Sequence, residues 1–271
     1  MVTSDQRRRQ LAREKFERQQ QRRAEKQRRG RRRAAVIGAA VAVVVAAGAT
    51  AWATGVFDSE DKGAGKTVAD APNPSGAPKK TADPCNKPAP GEIAKLSFKA
   101  EPKLDIDKSA KYAMKLRTTC GDIDLALDAK NAPRTVNSFN FLAGKGYFDH
   151  TKCHRLTTQG IYVLQCGDPT AAGSGTPGYK IPDENLKDPK VKGGTYPAGT
   201  VAMANAGPGT GGSQFFLVYK DSPLPPNYTP FGTIEGGQDV LAKIAGAGES
   251  SGQGDGAPNA TVVIDKATVT K

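Results

Sequence analysis

A run of 24 residues without a charged side chain, Ala34 to Phe57 (AAVIGAAVAVVVAAGATAWATGVF), most limits what this chain can fold into. As a helix, its first 20 residues span about 30 Å, the thickness of a bilayer's hydrocarbon core. Arg31, Arg32 and Arg33 stand directly before it, and Asp58, Glu60 and Asp61 follow. We read residues 34–57 as a transmembrane signal-anchor helix, with Trp52 as an interfacial aromatic. The positive-inside tendency keeps residues 1–33 cytoplasmic and puts the chain after about residue 57 outside, a single pass through the cell membrane. The rival reading is a cleaved signal peptide, since ATA and AWA resemble small-residue cleavage sites, and the remainder would then be secreted. A basic preamble of 33 residues favours the retained anchor.

The net charge of +12 suggests a nucleic-acid partner until it is located. Residues 1–33 hold twelve Arg and two Lys against Asp5, Glu14, Glu17 and Glu25, which is +10 of the total. The remainder is nearly neutral, so no nucleic-acid partner is expected. The basic cytoplasmic tail reads as a topology determinant near anionic lipid heads. Residues 58–91 are Pro, Gly, Ala, Ser and Lys with almost no large apolar side chains, a tether that cannot bury a core. GAGK within it lacks the flanking glycine and following Ser/Thr of a phosphate loop. Residues 92–271 remain as one domain large enough for its own core.

Four cysteines in an exported domain suggest bridges. Cys153 and Cys166 flank a predicted hairpin, and pairing them leaves Cys85 and Cys120 to tie the tether to the domain. The other two pairings stay open. A zinc site from Cys153, His154 and Cys166 fits no usual spacing.

Within the domain, KYAMKLRT and DIDLALD alternate apolar and polar residues around Thr119-Cys120-Gly121, which predicts a hairpin. From Pro133 the pattern turns helical, with Val136, Phe139 and Ala143 on one face and Gly144 as a stop. Strands are predicted near 152–156, 161–166, 200–205, 214–219 and 230–234. A second helix is predicted over Gly237–Ala245, and a final strand in TVVIDKATVTK. Many strands and two short helices point to a mostly-β fold, a closed antiparallel sheet capped by helices.

Residues 201–217, VAMANAGPGTGGSQFFL, carry the densest functional signal. Gly207, Pro208, Gly209, Gly211 and Gly212 make a loop where backbone can approach a ligand closely. Asn205 and Gln214 at its edges can both donate and accept. Phe215 and Phe216 must point to opposite faces of a strand, one toward a core and the other toward a cleft. This equipment suits the grip of an extended peptide.

The stretch MANAGPGTGGSQFF closely resembles the central motif of the cyclophilins, the peptidyl-prolyl isomerases, here of the membrane-anchored bacterial kind. CHRLTTQGIYVLQCGD (153–168), TVNSFNFLAGKGYFD (135–149) and PFG (230–232) extend the resemblance over roughly Ala110 to Lys271. It implies an eight-stranded closed barrel with a helix over each open end. It also implies roles: Arg155 as the catalytic arginine, Gln165 as the glutamine bonding both substrate and arginine, and Phe216 as the phenylalanine of the proline pocket. Tyr162, Val163 and Leu224 match other members of the apolar wall. Ala204, Asn205 and Gln214 match residues that grip substrate backbone, and Tyr228 stands at the position of a usual histidine. Pro223 replaces a tryptophan common in the family, and the stretch from Arg155 to Gln165 is two residues longer than usual. His154 would point away from the arginine and is read as structural.

The activity so implied is peptidyl-prolyl cis-trans isomerisation in exported proteins, with proline-containing polypeptides as partners, a monomeric catalytic domain, attachment to the membrane through residues 34–57, and no cofactor or metal. The alternative is a proline-peptide binding module or holdase chaperone with vestigial isomerase activity. A hydrolase finds little support, because His150 and His154 are the only imidazoles and neither sits near a nucleophile motif.

Overall fold

The computed structural model describes residues 82–271. The basic tail of 1–33, the anchor expected at 34–57 and the tether as far as residue 81 lie outside the described residues. Among the described residues, no helix is long and apolar enough to cross a membrane. In chain order the elements are β1 (Tyr112–Thr118), β2 (Gly121–Leu127), α1 (Pro133–Gly144), β3 (Thr151–Lys152), β4 (Arg155–Thr157) and β5 (Val163–Cys166). Then come β6 (Thr195–Tyr196), β7 (Thr200–Met203), β8 (Phe215–Val218), β9 (Ser222–Pro223) and β10 (Pro230–Gly236). Helix α2 (Gln238–Gly246), β11 (Asp255–Gly256) and β12 (Val263–Thr270) follow.

The alternation of the first two strands does what it predicts. Tyr112, Met114 and Leu116 on β1, with Ile123, Leu125 and Leu127 on β2, all turn into the core. Thr118 pairs with Gly121 across the turn. Helix α1 buries Val136, Phe139, Leu142 and Ala143, and Phe139 anchors an aromatic cluster with Phe148, Phe215 and Phe231 at centroid distances of 5.2, 5.4 and 4.6 Å. Gly144 is the last residue of α1; the left-handed turn that reverses the chain falls at Gly146, φ +69°. Ala132 offers no side-chain cap, so the carboxylate of Glu184 accepts from the backbone N–H groups of Arg134 and Thr135 at 3.1 and 2.8 Å. Helix α2 buries Val240, Leu241 and Ile244 as its spacing requires.

The eight-stranded closed ring expected from the resemblance is met in part. The strands form one curled ten-stranded antiparallel ladder, ordered β11-β4-β5-β8-β7-β10-β2-β1-β12-β3, and β6 pairs separately with β9. Three of the four two-residue strands, β6, β9 and β11, were beyond sequence patterning, because a pair of residues has no period to detect. Between β3 and β4 lie only Cys153 and His154. Cys153 N donates to Val262 O at 3.0 Å and His154 N to Gln165 O at 3.1 Å, so one bent segment carries the ladder from the β12 side to the β5 side.

Across β5, β7 and β8 both faces of the sheet carry apolar residues, while β4 turns only Leu156 inward. Leu156, Leu164, Val201, Met203, Phe215 and Leu217 belong to the main core. Val163, Ala202, Phe216 and Val218 face the other way and pack with Tyr196 and Val191 in a second, smaller cluster. That outer cluster is the floor on which the site is built.

Both disulfides link the pairs that the hairpin reading preferred, Cys153–Cys166 and Cys85–Cys120. The end of the segment read as a flexible tether is therefore fastened. Besides the bridge, Asn86 N donates to Thr119 O at 2.8 Å, Ala89 N to Asp265 Oδ1 at 3.0 Å, and Thr261 N to the Asp83 carboxylate at 3.0 Å. Composition misread residues 83–91 because covalent and main-chain bonds hold them, not apolar side chains.

Candidate functional site

Antiparallel pairing sets the polar half of the site. Arg155 on β4 lies opposite Gln165 on β5, and Gln165 lies opposite Phe216 on β8, which lies opposite Ala202 on β7. Partners across a ladder point the same way, so Arg155, Gln165 and Phe216 come to one face although 61 positions separate the first from the last in sequence. Arg155 Nη1 donates to Gln165 Oε1 at 3.2 Å, Gln165 Nε2 to Gln214 Oε1 at 2.9 Å, and Gln214 Nε2 to Gly175 O at 3.0 Å. Each amide donates onward while accepting from the residue before it, and the chain of bonds fixes all three side chains.

Beside this chain is a cavity of about 140 Å³, several times the roughly 30 Å³ share of a water molecule. Arg155, Ile161, Val163, Gln165, Ala204, Asn205, Phe216, Leu224 and Tyr228 line it. Phe216 is only 5 % exposed, and its ring meets Tyr228 edge-on at 5.6 Å. Tyr196 backs that wall: its hydroxyl donates to Tyr228 O at 2.6 Å and accepts from Tyr228 N at 3.1 Å. Burial pushes the Tyr196 phenol up to about 12, so it stays a neutral donor. Asn205 bridges by its side chain to Asn227 O at 2.8 Å.

A second cavity of about 340 Å³ adjoins the first and shares Gln165, Ala204 and Asn205 with it. Gln214 belongs to this second cavity, together with the glycine-rich turns around Gly175 and Gly212.

Of the residues expected from sequence, the structure brings together nine; Tyr162 is the exception. Its ring packs against Tyr219, with Lys220 Nζ 4.5 Å from the ring centroid, and does not line either cavity. Neighbours in extended chain face opposite ways, so Tyr162 and Val163 cannot share a wall. Ile161, Val163 and Gln165, two apart, do share it. That alternation was the available signal for Ile161, which the sequence reading missed.

Asp255 was also missed, and no local pattern marks it. It comes from β11, which pairs with β4 at the ladder's end. Its carboxylate takes Arg155 Nε at 2.8 Å and Nη2 at 2.7 Å, a forked pair. That hydrogen bonding raises the Arg155 guanidinium above its ordinary value and holds the Asp255 carboxyl below its own. A guanidinium has five N–H donors. Three are engaged, two by Asp255 and one by Gln165, which leaves one on each Nη for the cavity.

His154 lies behind this face, half-buried, with burial lowering its basicity. Among the described residues, no three His, Cys, Asp or Glu side chains converge as metal ligands would. The site offers a fixed cation, a ladder of amides and an apolar hollow.

Residues 113–269 match the family model described as cyclophilin type peptidyl-prolyl cis-trans isomerase. A probable peptidyl-prolyl cis-trans isomerase B of Mycobacterium leprae is 52% identical over 165 residues, which is 58% of this chain and 56% of the relative. Its counterpart in Mycobacterium tuberculosis is 49% identical over 164 residues, 57% of this chain and 53% of that one. The chain thus spans about half the length of the mycobacterial relatives it matches. Among solved structures, a cyclophilin type peptidyl-prolyl cis-trans isomerase of Cryptosporidium parvum superposes with a TM-score of 0.51 at 26% identity, over 60% of this chain and 99% of its own. The same protein in the presence of the dipeptide Ala-Pro gives a TM-score of 0.50 at 27% identity, over 59% of this chain and 99% of that one.

Proposed function

This chain belongs to the cyclophilin-type peptidyl-prolyl cis-trans isomerases, and we propose from that premise that it accelerates rotation about Xaa–Pro bonds in exported polypeptides. The observation that carries the reading is the Arg155 guanidinium, held by Gln165 and Asp255, at the edge of a hollow walled by Phe216.

The barrier to rotation is about 18–20 kcal/mol, because the amide nitrogen's lone pair is delocalised into the carbonyl. In the twisted state the lone pair returns to nitrogen, which becomes a hydrogen-bond acceptor. The proline ring enters the hollow against Phe216, Val163 and Leu224, giving up apolar surface at about 25 cal/mol per Å². Asn205 and Ala204 hold the flanking backbone, so that only the segment on one side of the imide can turn. A free N–H of Arg155 then meets the prolyl nitrogen as the lone pair localises. The donor is in place beforehand, and it interacts more strongly with the twisted amide than with the planar one, which is what lowers the barrier. No covalent step is needed, and the guanidinium keeps its charge at every working pH.

The test is line-shape or exchange spectroscopy on an Xaa–Pro peptide with the full chain. Arg155→Ala should slow exchange by about 10²- to 10³-fold, the scale of losing one preorganised donor. Undiminished exchange in that variant would remove Arg155 from the mechanism. A binding module or holdase would instead hold the peptide and leave its exchange rate unchanged; the Pro223 and Tyr228 substitutions at the rim motivate that second reading.

For location, we infer a membrane-tethered domain facing away from the cytoplasm. The uncharged run at 34–57 supports it, as do two disulfides that pair all four cysteines, a usage typical of oxidising compartments. Reporter fusions at Lys62 and Lys271 test the topology, and mass spectrometry of the mature N-terminus tests retention of the anchor.

A further inference from the structure

Residues 92–111 cross the outside of the domain without forming helix or strand, and they precede the span that the family model matches. They are nevertheless held at every few residues. The N–H of Phe98 donates to Pro177 O at 2.8 Å, and its ring meets Phe141 edge-on at 4.9 Å and Tyr179 at 6.5 Å. Glu101 takes a forked ion pair from Arg134, and Asn137 on α1 binds Asp105 N and Lys103 O, each at 3.0 Å.

The far partner of this strap matters. Pro177, Gly178 and Tyr179 continue directly from Gly175 and Thr176, which line the second cavity. Gly175 O is also the acceptor that ends the Arg155–Gln165–Gln214 chain. Gly178 records how closely the strap presses: at φ +94°, a Cβ there would lie 2.5 Å from Phe98 O and 2.6 Å from Ser97 Oγ. Only glycine fits that contact. Tyr179 is tied on the other side, its hydroxyl 2.8 Å from Ser138 Oγ on α1. The loop bearing one wall of the second cavity is thus clamped between the strap and the helix.

We propose that the strap is a positioning element for extended substrates, with Phe98 as its key residue. It sets the 173–180 loop so that residues flanking the Xaa–Pro bond find the second cavity formed. The proposal rests on the prolyl-peptide reading of the first cavity and adds a footprint beyond it. An Xaa–Pro dipeptide filling the first cavity alone is indifferent to the strap. A longer peptide that runs on across Ala204 and Gln214 is not.

The experiment measures affinity of the full chain for two probes by NMR titration: the dipeptide Ala-Pro, and a longer peptide with several residues on each side of the proline. Phe98→Ala should weaken the longer peptide by about 2- to 30-fold, the span expected of coupling through packed contacts. Ala-Pro affinity should stay within about twofold, well inside that coupling scale. Gly178→Ala leaves Phe98 intact, displaces the strap from the opposite side and should give the same selective loss. Phe98→Leu should restore most of the affinity, and Gly178→Ala carries the test alone if Phe98→Ala does not fold. Equal weakening of both peptides, or an unchanged longer peptide in both variants, would overturn the proposal. Exchange rates in the same samples report separately on the isomerase reading: a wild type that binds both probes without speeding rotation refutes the enzyme and leaves the strap to be judged on affinity.

Discussion

Asp255 grips Arg155 from behind, through Nε and Nη2 at 2.8 and 2.7 Å, and so turns the remaining edge of the guanidinium toward the cavity. The pair is substantially exposed, with side chains 54 % and 39 % accessible, so its worth lies in aim rather than in stability. Asp255→Ala should lower kcat by about two- to fivefold, the energy scale of an exposed ion pair, with KM and unfolding midpoint nearly unchanged. Steady-state isomerisation with a saturable peptide checks it; an unaltered kcat would show that Gln165 alone aims the arginine.

The same pair sets an acid limit. Asp255's carboxyl is held below its ordinary value of 3.8 by Arg155, so the ionised pair persists from neutral pH down through that value. The positioning is lost only as pH falls through the depressed value. Exchange catalysis should therefore be flat in the range above about pH 4, near the ordinary Asp value, where Asp255→Asn should also show its deficit undiminished.

Phe216 is the floor of the hollow and only 5 % exposed. Phe216→Ala should cut kcat/KM by about 10- to 100-fold, the cost of losing a buried aromatic surface from the substrate's contacts. The loss should sit mainly in KM, since Arg155 and Gln165 keep their hydrogen bond. A loss confined to kcat would mean that the ring acts on the twisted amide and not on the bound proline.

His154 presents the opposite pH sense. Burial lowers its basicity below the ordinary 6.5, and its Nδ1 is buried without a partner. The unfolded chain then binds a proton that the folded one refuses, so this contribution to stability is complete above 6.5 and is lost as pH falls from there toward the depressed value. Urea midpoints should decline across that window in the wild type and decline less in His154→Gln.

Glu184 caps a helix 50 residues away from it in sequence, accepting Arg134 N, Thr135 N and the Thr135 hydroxyl. Glu184→Ala should cost about 1–2 kcal/mol, as other lost N-caps do, and Glu184→Gln should recover part of it. Urea unfolding measures both.

Each disulfide closes a modest loop, with sequence separations of 13 and 35. Replacing either pair by serine should lower stability by about 2–4 kcal/mol, measured by urea unfolding without reductant. A larger loss for Cys153–Cys166 would mark its bend as a strained corner that the bridge must hold.

What could be read from the residues alone was whatever has a period or a local signature. Tyr112, Met114 and Leu116 alternate, and they lie in the core; Val136, Phe139 and Ala143 recur at helical spacing, and they are buried together. The two aromatic neighbours Phe215 and Phe216 had to part to opposite faces, and they do. Nine of the site residues named from motifs stand around one another, and four of them, Ala204, Asn205, Gln214 and Phe216, do so because a glycine-rich loop between two apolar strands encodes its own geometry. Tyr162 misled because the motif was matched by position, while the strand obeys alternation.

Tertiary structure alone decided what depends on residues distant in sequence meeting through turns that no pattern announces. Asp255 reaches Arg155 across 100 positions, by way of a two-residue strand at the ladder's end. The strap meets Pro177 through a single backbone bond and a glycine, neither of which alters the periodicity of either segment. Local preferences act over a few residues and set which elements form. Which donors are already occupied, which face stays open and how far the peptide footprint extends are settled only when the sheet curls and brings its ends together.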